Sequence, residues 1–302
     1  MPRARTLAAL FCCLLTAATA TARLAPRQQL PTEPQPLGRV LITNDDGVDS
    51  PGLHALVAAF AEVAEVTVVA PAADASGTAD MSVALRQRQL TVHQLTLPDG
   101  HPATAVEGNP ADAVLVAIRK LMAPDGPDLV VSGINTGPNL AAAHIFSGTI
   151  GAARVAGFLG VPAIAVSGGS AQIPGQLEAA ARYTVALARS EAFASLGRYQ
   201  YLTLSVPLTS PAKFAGVRVA RRHMGLASIG FTRTDSPRGQ EETYRLRLSR
   251  ETATPEPDSD SALYERGYLV VVPMTIAEDL RVTIEAWSRV AGKLPPLEAA
   301  KN

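Results

Sequence analysis

The stretch Arg39-Val40-Leu41-Ile42-Thr43-Asn44-Asp45-Asp46-Gly47 joins a short apolar run to a cluster of polar side chains. The run predicts a buried parallel strand, and ligands in open α/β sheets bind beyond the carboxyl ends of such strands. The carboxylates of Asp45 and Asp46 repel each other unless a proton or a cation relieves them, and a hard divalent cation suits such an oxygen-only cluster. The stretch therefore predicts a metal or phosphate site. The alternative is that Asn-Asp-Gly only makes a turn.

Segments that favour strands and helices alternate along the chain after this first strand. A β-α-β succession of this kind predicts a doubly wound sheet with right-handed crossovers. We therefore predict an α/β fold with a mostly parallel, Rossmann-like sheet. The further expected strands are 65–70, 128–132, 163–167 and 201–205, with two possible strands within 83–106 on either side of a turn signal at 98–100. The expected helices are at about 51–64, 110–122, 147–160 and 177–194.

The composition changes in the last third of the chain. Residues 218–250 alternate polar and apolar side chains, which favours an antiparallel hairpin with one face in water. A strand at 267–273 and a closing helix at 276–289 are expected to follow. An isolated hairpin is marginally stable in water, so this arm is poorly suited to stand alone. The predicted organisation is a signal peptide (1–22), a flexible linker (23–38), an α/β catalytic core (39–215) and a region of hairpin arm, returning strand and helix (216–302).

The first residues have the order of a secretory signal peptide. Arg3 and Arg5 precede an apolar run at 7–15, and small residues of the A-x-A type follow at 18–20 and 20–22. The run is too short to span a bilayer comfortably, so we expect no stable membrane anchor. Both cysteines lie in this leader, so the mature chain would contain no disulfide. We expect a secreted, periplasmic protein.

The charge balance bounds the class of ligand. Basic and acidic residues number 27 each, and loss of the leader leaves a net charge of about −2. A chain with no overall basic field is poorly suited to nucleic-acid polymers, so we expect no such partner. A small charged substrate remains possible because a local site does not need a global field.

Three polar clusters follow predicted strands or lie in the loops after them. They are Asn44–Gly47, Asp74–Thr78 and Ser132–Asn139. In one parallel sheet these loops meet at the same edge. Together they supply carboxylate, hydroxyl and amide oxygens, which are ligands for Mg²⁺, Mn²⁺ or Ca²⁺ rather than for zinc or copper.

Several motifs of the chain together resemble one known family. The motifs are Asn44-Asp45-Asp46-Gly47 with Pro51-Gly52, Ala70-Pro71 with Ser76-Gly77, Gly108-Asn109-Pro110-Ala111-Asp112, Ser132 to Asn139, Ser147 to Ala153, and Asp260 with Gly267-Tyr268. In this set the chain is similar to the SurE family of survival proteins, which are divalent-metal-dependent nucleotidases and acid phosphatases. The chain departs from the family pattern in a longer loop after Ser76-Gly77, in the residues after Asn139, and around Asp260.

The resemblance implies a set of site residues. One divalent metal ion, Mg²⁺, Mn²⁺ or a similar ion, would be held by the four ligands Asp45, Asp46, Ser76 and Asn135. Asn44 would act with the two aspartates in catalysis, and Asn44 and Asn139 would contact the substrate phosphate. Whether a water molecule oriented by the ion or an aspartate attacks phosphorus stays open, and we favour water.

A predicted helix start supplies a further candidate anion site. Ser147, Gly148 and Thr149 would open a helix, so their hydroxyl and N–H groups could hold an anion. The alternative is that they only cap the helix.

The resemblance also implies a function. It indicates a phosphomonoesterase that hydrolyses nucleoside monophosphates as a 5'/3'-nucleotidase. It also implies a homodimer or homotetramer in which region 216–302 serves oligomerisation, with the hairpin arm and the last helix reaching over a neighbouring subunit. The alternatives are an enzyme of sugar transfer or nucleoside cleavage, and a catalytically silent or differently specific metal-binding protein of the same fold. For Arg221, Arg222 and His223 we expect solvated charge, with contact to substrate across a subunit interface as the alternative. The role of Asp260 stays open.

Overall fold

The computed structural model describes residues 36–225, 228–234, 242–249 and 254–276. The predicted signal peptide, most of the predicted linker and the predicted helix at 276–289, apart from its first residue, lie outside the described residues. Within the described ranges, no helix is both long and apolar enough to cross a membrane.

Eleven strands and seven α-helices alternate through the described ranges. The strands are β1 (Arg39–Thr43), β2 (Glu65–Pro71), β3 (Val92–Thr96), β4 (Pro102–Val106), β5 (Leu129–Thr136), β6 (Ala163–Gly169), β7 (Gln200–Ser205), β8 (Val217–Val219), β9 (Ser228–Arg233), β10 (Tyr244–Ser249) and β11 (Leu269–Thr275). The helices are α1 (Pro51–Ala61), α2 (Val83–Gln87), α3 (Pro110–Val116), α4 (Gly148–Phe158), α5 (Gln176–Ala188), α6 (Glu191–Ala194) and α7 (Asp260–Glu265).

Nine of these strands form one sheet in the order β3-β4-β2-β1-β5-β6-β7-β11-β8. The central pairs, β2 with β1, β1 with β5, β5 with β6 and β6 with β7, are all parallel. β3 runs antiparallel to β4, and β11 runs antiparallel to β7 but parallel to β8. The sheet confirms the predicted doubly wound, mostly parallel α/β fold.

The sheet carries helices on both faces, and β1 shows how its sequence builds both layers. Successive side chains of a strand point to opposite faces. Val40 and Ile42 accordingly join a buried cluster with α1 and α5. Leu41 joins a second cluster on the other face with α3 and α4. A strand buried on both sides reads as a continuous apolar run, which is the pattern seen in the sequence.

Two helices differ from the sequence prediction. The helix expected at 110–122 is α-helical only to Val116 and continues as a π-helical segment at Ala117–Leu121. The helix expected at 177–194 is divided into α5 and α6. Ser190 begins the second piece, because its hydroxyl accepts a hydrogen bond from the Phe193 N–H at 3.2 Å. A serine that can cap a new helix competes with continuation of the old one.

The C-terminal part of the described chain contributes to two sheets. β9 and β10 form a separate antiparallel pair, as the alternating pattern predicted. β8 and β11 instead join the main sheet, so that sheet contains strands from both sides of residue 215. The domain boundaries and the role of the arm in oligomerisation stay predictions.

Candidate active site at the carboxyl end of β1

Asp45 is separated from the end of β1 by Asn44 and is held by the first turn of α4. Its side chain is buried, with the whole residue 2% exposed. The Thr149 hydroxyl donates a hydrogen bond to Asp45 Oδ1 at 2.5 Å. Gly148 allows this close approach, because a Cβ atom there would lie 2.8 Å from Asp45 Cβ. The N-terminal end of a helix also favours a negative charge, so α4 fixes the position of this carboxylate.

Asp46 is held by the neighbouring strand. Its Oδ2 atom accepts a hydrogen bond from the Thr136 N–H, at the end of β5, at 3.1 Å. β1 and β5 are adjacent and parallel, with Thr43 paired to Ser132. The carboxyl ends of two neighbouring strands therefore fix both carboxylates at one edge of the sheet.

Burial and mutual repulsion make these two carboxylates hard to ionise. Burial raises the pKa of Asp45, although the bond from Thr149 opposes the shift. Burial, followed by the charge of Asp45, raises the pKa of Asp46 to about 6. Both groups would be charged more readily beside a cation, because an opposite charge favours the ionised form.

The loop after β2 reaches the same edge. The Ala75 N–H donates to the Asp45 carbonyl oxygen at 2.8 Å. The Ser76 hydroxyl, one residue further, donates to Asp74 Oδ1 at 2.6 Å. The charge of Asp74 also contributes to the raised pKa values of Asp45 and Asp46. Asp74 is therefore a third carboxylate near the site, which the sequence analysis did not assign as a ligand.

Asn44 and Asn135 use their amide nitrogens within the chain. Asn44 Nδ2 donates to the Gly47 carbonyl oxygen at 2.8 Å and to Ser50 Oγ at 2.7 Å. Asn44 Oδ1 is buried without a hydrogen-bond partner among the described residues. Asn135 Nδ2 donates to the Gly137 carbonyl oxygen at 2.9 Å. In both residues the amide oxygen is the atom left to accept from a donor or to bind a cation.

The residues predicted to bind phosphate have partners of their own. Asn139 Nδ2 donates to Ser167 Oγ at 2.9 Å. The Ser147 hydroxyl accepts from the Ile150 N–H at 3.1 Å and thus caps α4. With the Thr149 hydroxyl donated to Asp45, both hydroxyls of this helix start have structural bonds. Their role towards a phosphate stays a prediction.

The donors at this edge fit a hard divalent cation. Asp45 and Asp46 offer carboxylate oxygens, and Asn44 offers a buried amide oxygen without a described partner. Oxygen atoms of this kind are the usual ligands of Mg²⁺, Mn²⁺ and Ca²⁺. In the described part of the chain, no group of three or more histidine, cysteine, aspartate and glutamate side chains is arranged to hold a metal. A metal here would therefore also need the hydroxyl oxygen of Ser76 and the amide oxygen of Asn135, which the sequence analysis included as ligands.

A groove of substantial size lies elsewhere. It lies between α1 and α5, has a volume of about 1230 Å³ and is lined mainly by apolar side chains. Neither Asp45 nor Asp46 lines it. We identify the site by its buried carboxylates rather than by the size of a cavity.

Comparisons with known proteins agree with the motifs. A family model described as "Survival protein SurE" matches residues 40–227. The chain belongs to the SurE family. A relative from Cronobacter sakazakii named "5'/3'-nucleotidase SurE" is 36% identical over 257 residues, covering 84% of this chain and 98% of the relative. A relative of the same name from Serratia proteamaculans is 36% identical over 260 residues, covering 84% and 98%.

A solved SurE structure has a similar fold. The crystal structure of the SurE protein from Aquifex aeolicus matches with a TM-score of 0.70 and 26% sequence identity, covering 84% of this chain and 99% of that one. The similarity extends over nearly the whole of the solved chain. The two chains therefore share their fold over most of their length.

In this SurE family member, one interpretation from sequence was wrong. We expected Arg221, Arg222 and His223 to be solvated, but only Arg221 has an exposed side chain, at 62%. The Arg222 side chain is 7% exposed, and its Nη1 lies 2.9 Å from Oδ2 of the fully buried Asp260. His223 is buried, and its Nδ1 lies 2.7 Å from Glu256 Oε2. The partners are more than 30 residues away along the chain, so the sequence carried no local signal for these contacts.

Proposed function

We propose that this chain is a phosphoric monoester hydrolase that releases inorganic phosphate from nucleoside monophosphates. The observation that carries the proposal is the pair of adjacent, raised-pKa carboxylates of Asp45 and Asp46 at the carboxyl end of β1. An arrangement of this kind suits a phosphate site once a cation neutralises it. The names of the relatives, 5'/3'-nucleotidase SurE, support the same reaction.

Asp45, Asp46, Ser76 and Asn135 would hold one divalent ion. When bound, the ion would polarise a phosphoryl oxygen, neutralise the developing negative charge and help to orient the attacking water. The donors fit this role because carboxylate, hydroxyl and amide oxygens are its preferred ligands.

The remaining contacts would orient these ligands. Thr149 donates to Asp45 Oδ1 and so leaves Oδ2 as the oxygen free of that bond. The Thr136 N–H fixes Asp46 in the same way. Groups that hold a ligand in one orientation commonly affect metal affinity about 10–100-fold. Asn44 and Asn139 would then contact the phosphate of the substrate.

Hydrolysis assays test the proposal. Purified protein would be given 5'- and 3'-mononucleotides, polyphosphate and p-nitrophenyl phosphate with Mg²⁺, Mn²⁺ or Co²⁺. We expect hydrolysis of mononucleotides that disappears in excess chelator and returns with added metal. Full activity in chelator would contradict the metal-based proposal. Binding of metal with no hydrolysis of any phosphomonoester would instead favour the catalytically silent alternative.

A matched pair of variants locates the site. Asp45→Asn removes one predicted ligand, so kcat/KM should fall at least about 100–1000-fold, the scale of losing a key electrostatic group. Asp125→Asn makes the same change at a carboxyl that is 73% exposed, and its kcat/KM should equal that of the parent. Equal activity in the two variants would place the reaction elsewhere.

We also propose that the arm serves assembly. In β9 and β10 the apolar side chains of Phe231, Tyr244 and Leu246 are 67%, 52% and 51% exposed. A two-stranded sheet with such a surface is marginal alone, so a partner copy would stabilise it. Light scattering should give the mass of a dimer or tetramer for the parent and of a smaller species for Phe231→Glu with Leu246→Glu. A monomeric parent would contradict assembly.

We propose that residues 1–22 direct export to the periplasm. The support is the order of arginines, apolar run and small residues in the leader. Fractionation followed by N-terminal sequencing should find the mature chain outside the cytoplasm and without the leader. A cytoplasmic protein that retains Met1 would contradict the proposal.

A further inference from the structure

We propose that the buried Arg222–Asp260 pair positions the active-site segment 139–146 and thereby sets the affinity for the substrate phosphate. The proposal rests on the proposed function, because it assigns the positioning of Asn139 and Ser147 to residues far away in the sequence. Arg222 and Asp260 would be positioning residues, since they act through the segment rather than on the substrate.

The Asp260 carboxylate accepts hydrogen bonds from backbone N–H groups in three parts of the chain. Its Oδ2 accepts from the Ala141 N–H at 3.0 Å and from Arg222 Nη1 at 2.9 Å. Its Oδ1 accepts from the N–H groups of His223 at 2.9 Å and Ser261 at 2.8 Å. Asp260 is fully buried. One carboxylate therefore joins the start of α7, the residues after β8 and the active-site segment.

Arg222 completes the same junction. Its Nη1 also donates to the Asn139 carbonyl oxygen at 2.8 Å, and its Nη2 donates to Thr203 Oγ1 in β7 at 2.9 Å. Asn139 is thus held at two points, its carbonyl by Arg222 and its side chain by Ser167 of β6. A planar guanidinium with fixed donors is well suited to set the position of a loop against a sheet.

The segment itself needs such a restraint. Ala141 has a φ of +47°, a left-handed conformation that a non-glycine residue rarely adopts. Such residues persist only where surrounding contacts hold them. The bond from Ala141 to Asp260 is one of these contacts, and the 3₁₀ turn Ala141–Ile145 then leads to Ser147 at the start of α4. Loss of the Arg222–Asp260 pair should let the segment 139–146 relax and should displace the residues at its two ends, Asn139 and Ser147.

Stability alone does not explain this pair well. Replacing a buried ion pair by apolar side chains is often neutral or even stabilising. Here two of the groups bound by the pair, the Asn139 carbonyl and the Ala141 N–H, belong to the segment that carries predicted phosphate contacts. The pair therefore has a positional role in addition to its contribution to the core.

The test compares two pairs of identical composition. Arg222→Met with Asp260→Asn removes both buried charges together and keeps an acceptor for the backbone, so the chain should still fold. Arg221→Met with Asp258→Asn makes the same change in the neighbouring exposed pair, whose side chains are 62% and 71% exposed. We expect the first variant to raise KM for a nucleoside monophosphate, and Ki for inorganic phosphate, about tenfold or more, with a smaller change in kcat. The second variant should match the parent.

Two further readouts separate positioning from loss of stability. In a double-mutant cycle, the effect of the buried-pair variant on KM should largely disappear in an Asn139→Ala background, because both act on one contact. Hydrogen exchange of residues 140–146 should become faster than in the parent, while exchange in β1 and β5 should not change.

A folded buried-pair variant with parental KM, Ki and exchange would overturn the proposal, and so would full additivity with Asn139→Ala. If the parent itself hydrolyses no nucleotide, the proposed function fails. Exchange in 140–146 and the binding of inorganic phosphate with Mn²⁺ then still test the positioning.

Discussion

Two buried aspartates, Asp260 and Asp45, differ in the partners that surround their negative charge. Asp260 is fully buried beside Arg222, so the chain supplies its own countercharge. Asp45 is buried to nearly the same degree, but it accepts a neutral hydroxyl from Thr149. The charge of Asp74 raises the pKa of Asp45 further, and the charges of Asp45 and Asp74 both raise the pKa of Asp46.

The difference separates a structural site from a binding site. A buried charge with an internal partner is complete in the folded chain. A cluster of like charges is incomplete, because burial and repulsion both disfavour ionisation. We infer that Asp260 fixes the positions of its neighbours, whereas the edge at β1 keeps an unbalanced negative charge for a ligand.

Removing the internal countercharge should have the largest effect on stability. Arg222→Met leaves Asp260 buried and unpaired, which should lower the free energy of unfolding by about 3–5 kcal/mol. Asp45→Asn should not lower it in excess chelator, because the substitution removes a buried charge that has no positively charged partner among the described residues. Denaturant unfolding at pH 7.5 measures both. Equal losses of unfolding free energy in the two variants would mean that Asp45 also has an internal countercharge.

Removing the neutral partner of Asp45 should weaken metal binding. Thr149→Val deletes the hydroxyl that orients the carboxylate, so Mn²⁺ affinity by calorimetry should fall about 10–100-fold. Thr184→Val is the matched control. Its hydroxyl is equally buried but bonds to the Ala180 carbonyl oxygen within α5 at 2.8 Å. Parental affinity in Thr149→Val would show that Asp45 is oriented by other groups.

The pH dependence of stability should distinguish a carboxylate without a countercharge, such as Asp46, from one that hydrogen bonds stabilise. The pKa of Asp46 is raised to about 6 in the folded chain from an ordinary 3.8. Its contribution to stability is therefore fully present below about pH 4 and is lost as the pH rises through about 6. In chelator, the free energy of unfolding of Asp46→Asn relative to that of the parent should rise by about 1 kcal/mol as the pH rises through this window. This value is reduced because the Asp46 side chain is partly exposed to solvent. Saturating Mn²⁺ should reverse the order at pH 7.5.

Asp74→Asn is the control for that experiment. Hydrogen bonds from Ser76 lower the pKa of Asp74, so its contribution is present above the ordinary value and is lost as the pH falls. The stability difference between this variant and the parent should therefore have the opposite slope with pH. The same slope for Asp46→Asn and Asp74→Asn would contradict the assignment.

The exposed pair next to the buried one should have the smallest effect. Arg221 Nη2 lies 3.0 Å from Asp258 Oδ1 at the surface. Arg221→Ala should change the free energy of unfolding by at most about 0.5 kcal/mol, because water and salt screen such pairs. A loss comparable with that of Arg222→Met would show that burial is not what distinguishes the two arginines.

Local patterns predicted the sheet and the first cluster well. β1 has the predicted bounds, since an apolar run followed by Asn-Asp-Asp-Gly contains both the strand and its end. The turn at 98–100 separates β3 from β4 as expected, because Pro-Asp-Gly favours a turn whatever surrounds it. Structure that depends on residues close together in the chain can therefore be predicted from the local sequence.

Contacts between distant segments could not be predicted in the same way. Nothing near Arg222 indicates that it meets Asp260, because the partner depends on β8 and α7 reaching the same end of the sheet. The break between α5 and α6 was missed for a related reason, since Ser190 is compatible with either a continued or a restarted helix. The sequence predicted the residues of the site better than the contacts that hold them.

The position of β11 has a consequence for how the chain is made. β11 is the last described strand, yet it lies inside the sheet between β7 and β8, paired from Val270–Ser205 to Thr275–Gln200. Until it is synthesised, one edge of β7 has no neighbour, and uncovered edges invite pairing with other chains. Chains that end before Leu269 should therefore aggregate rather than fold to a smaller version. Completion of the sheet therefore waits until Thr275 has been synthesised.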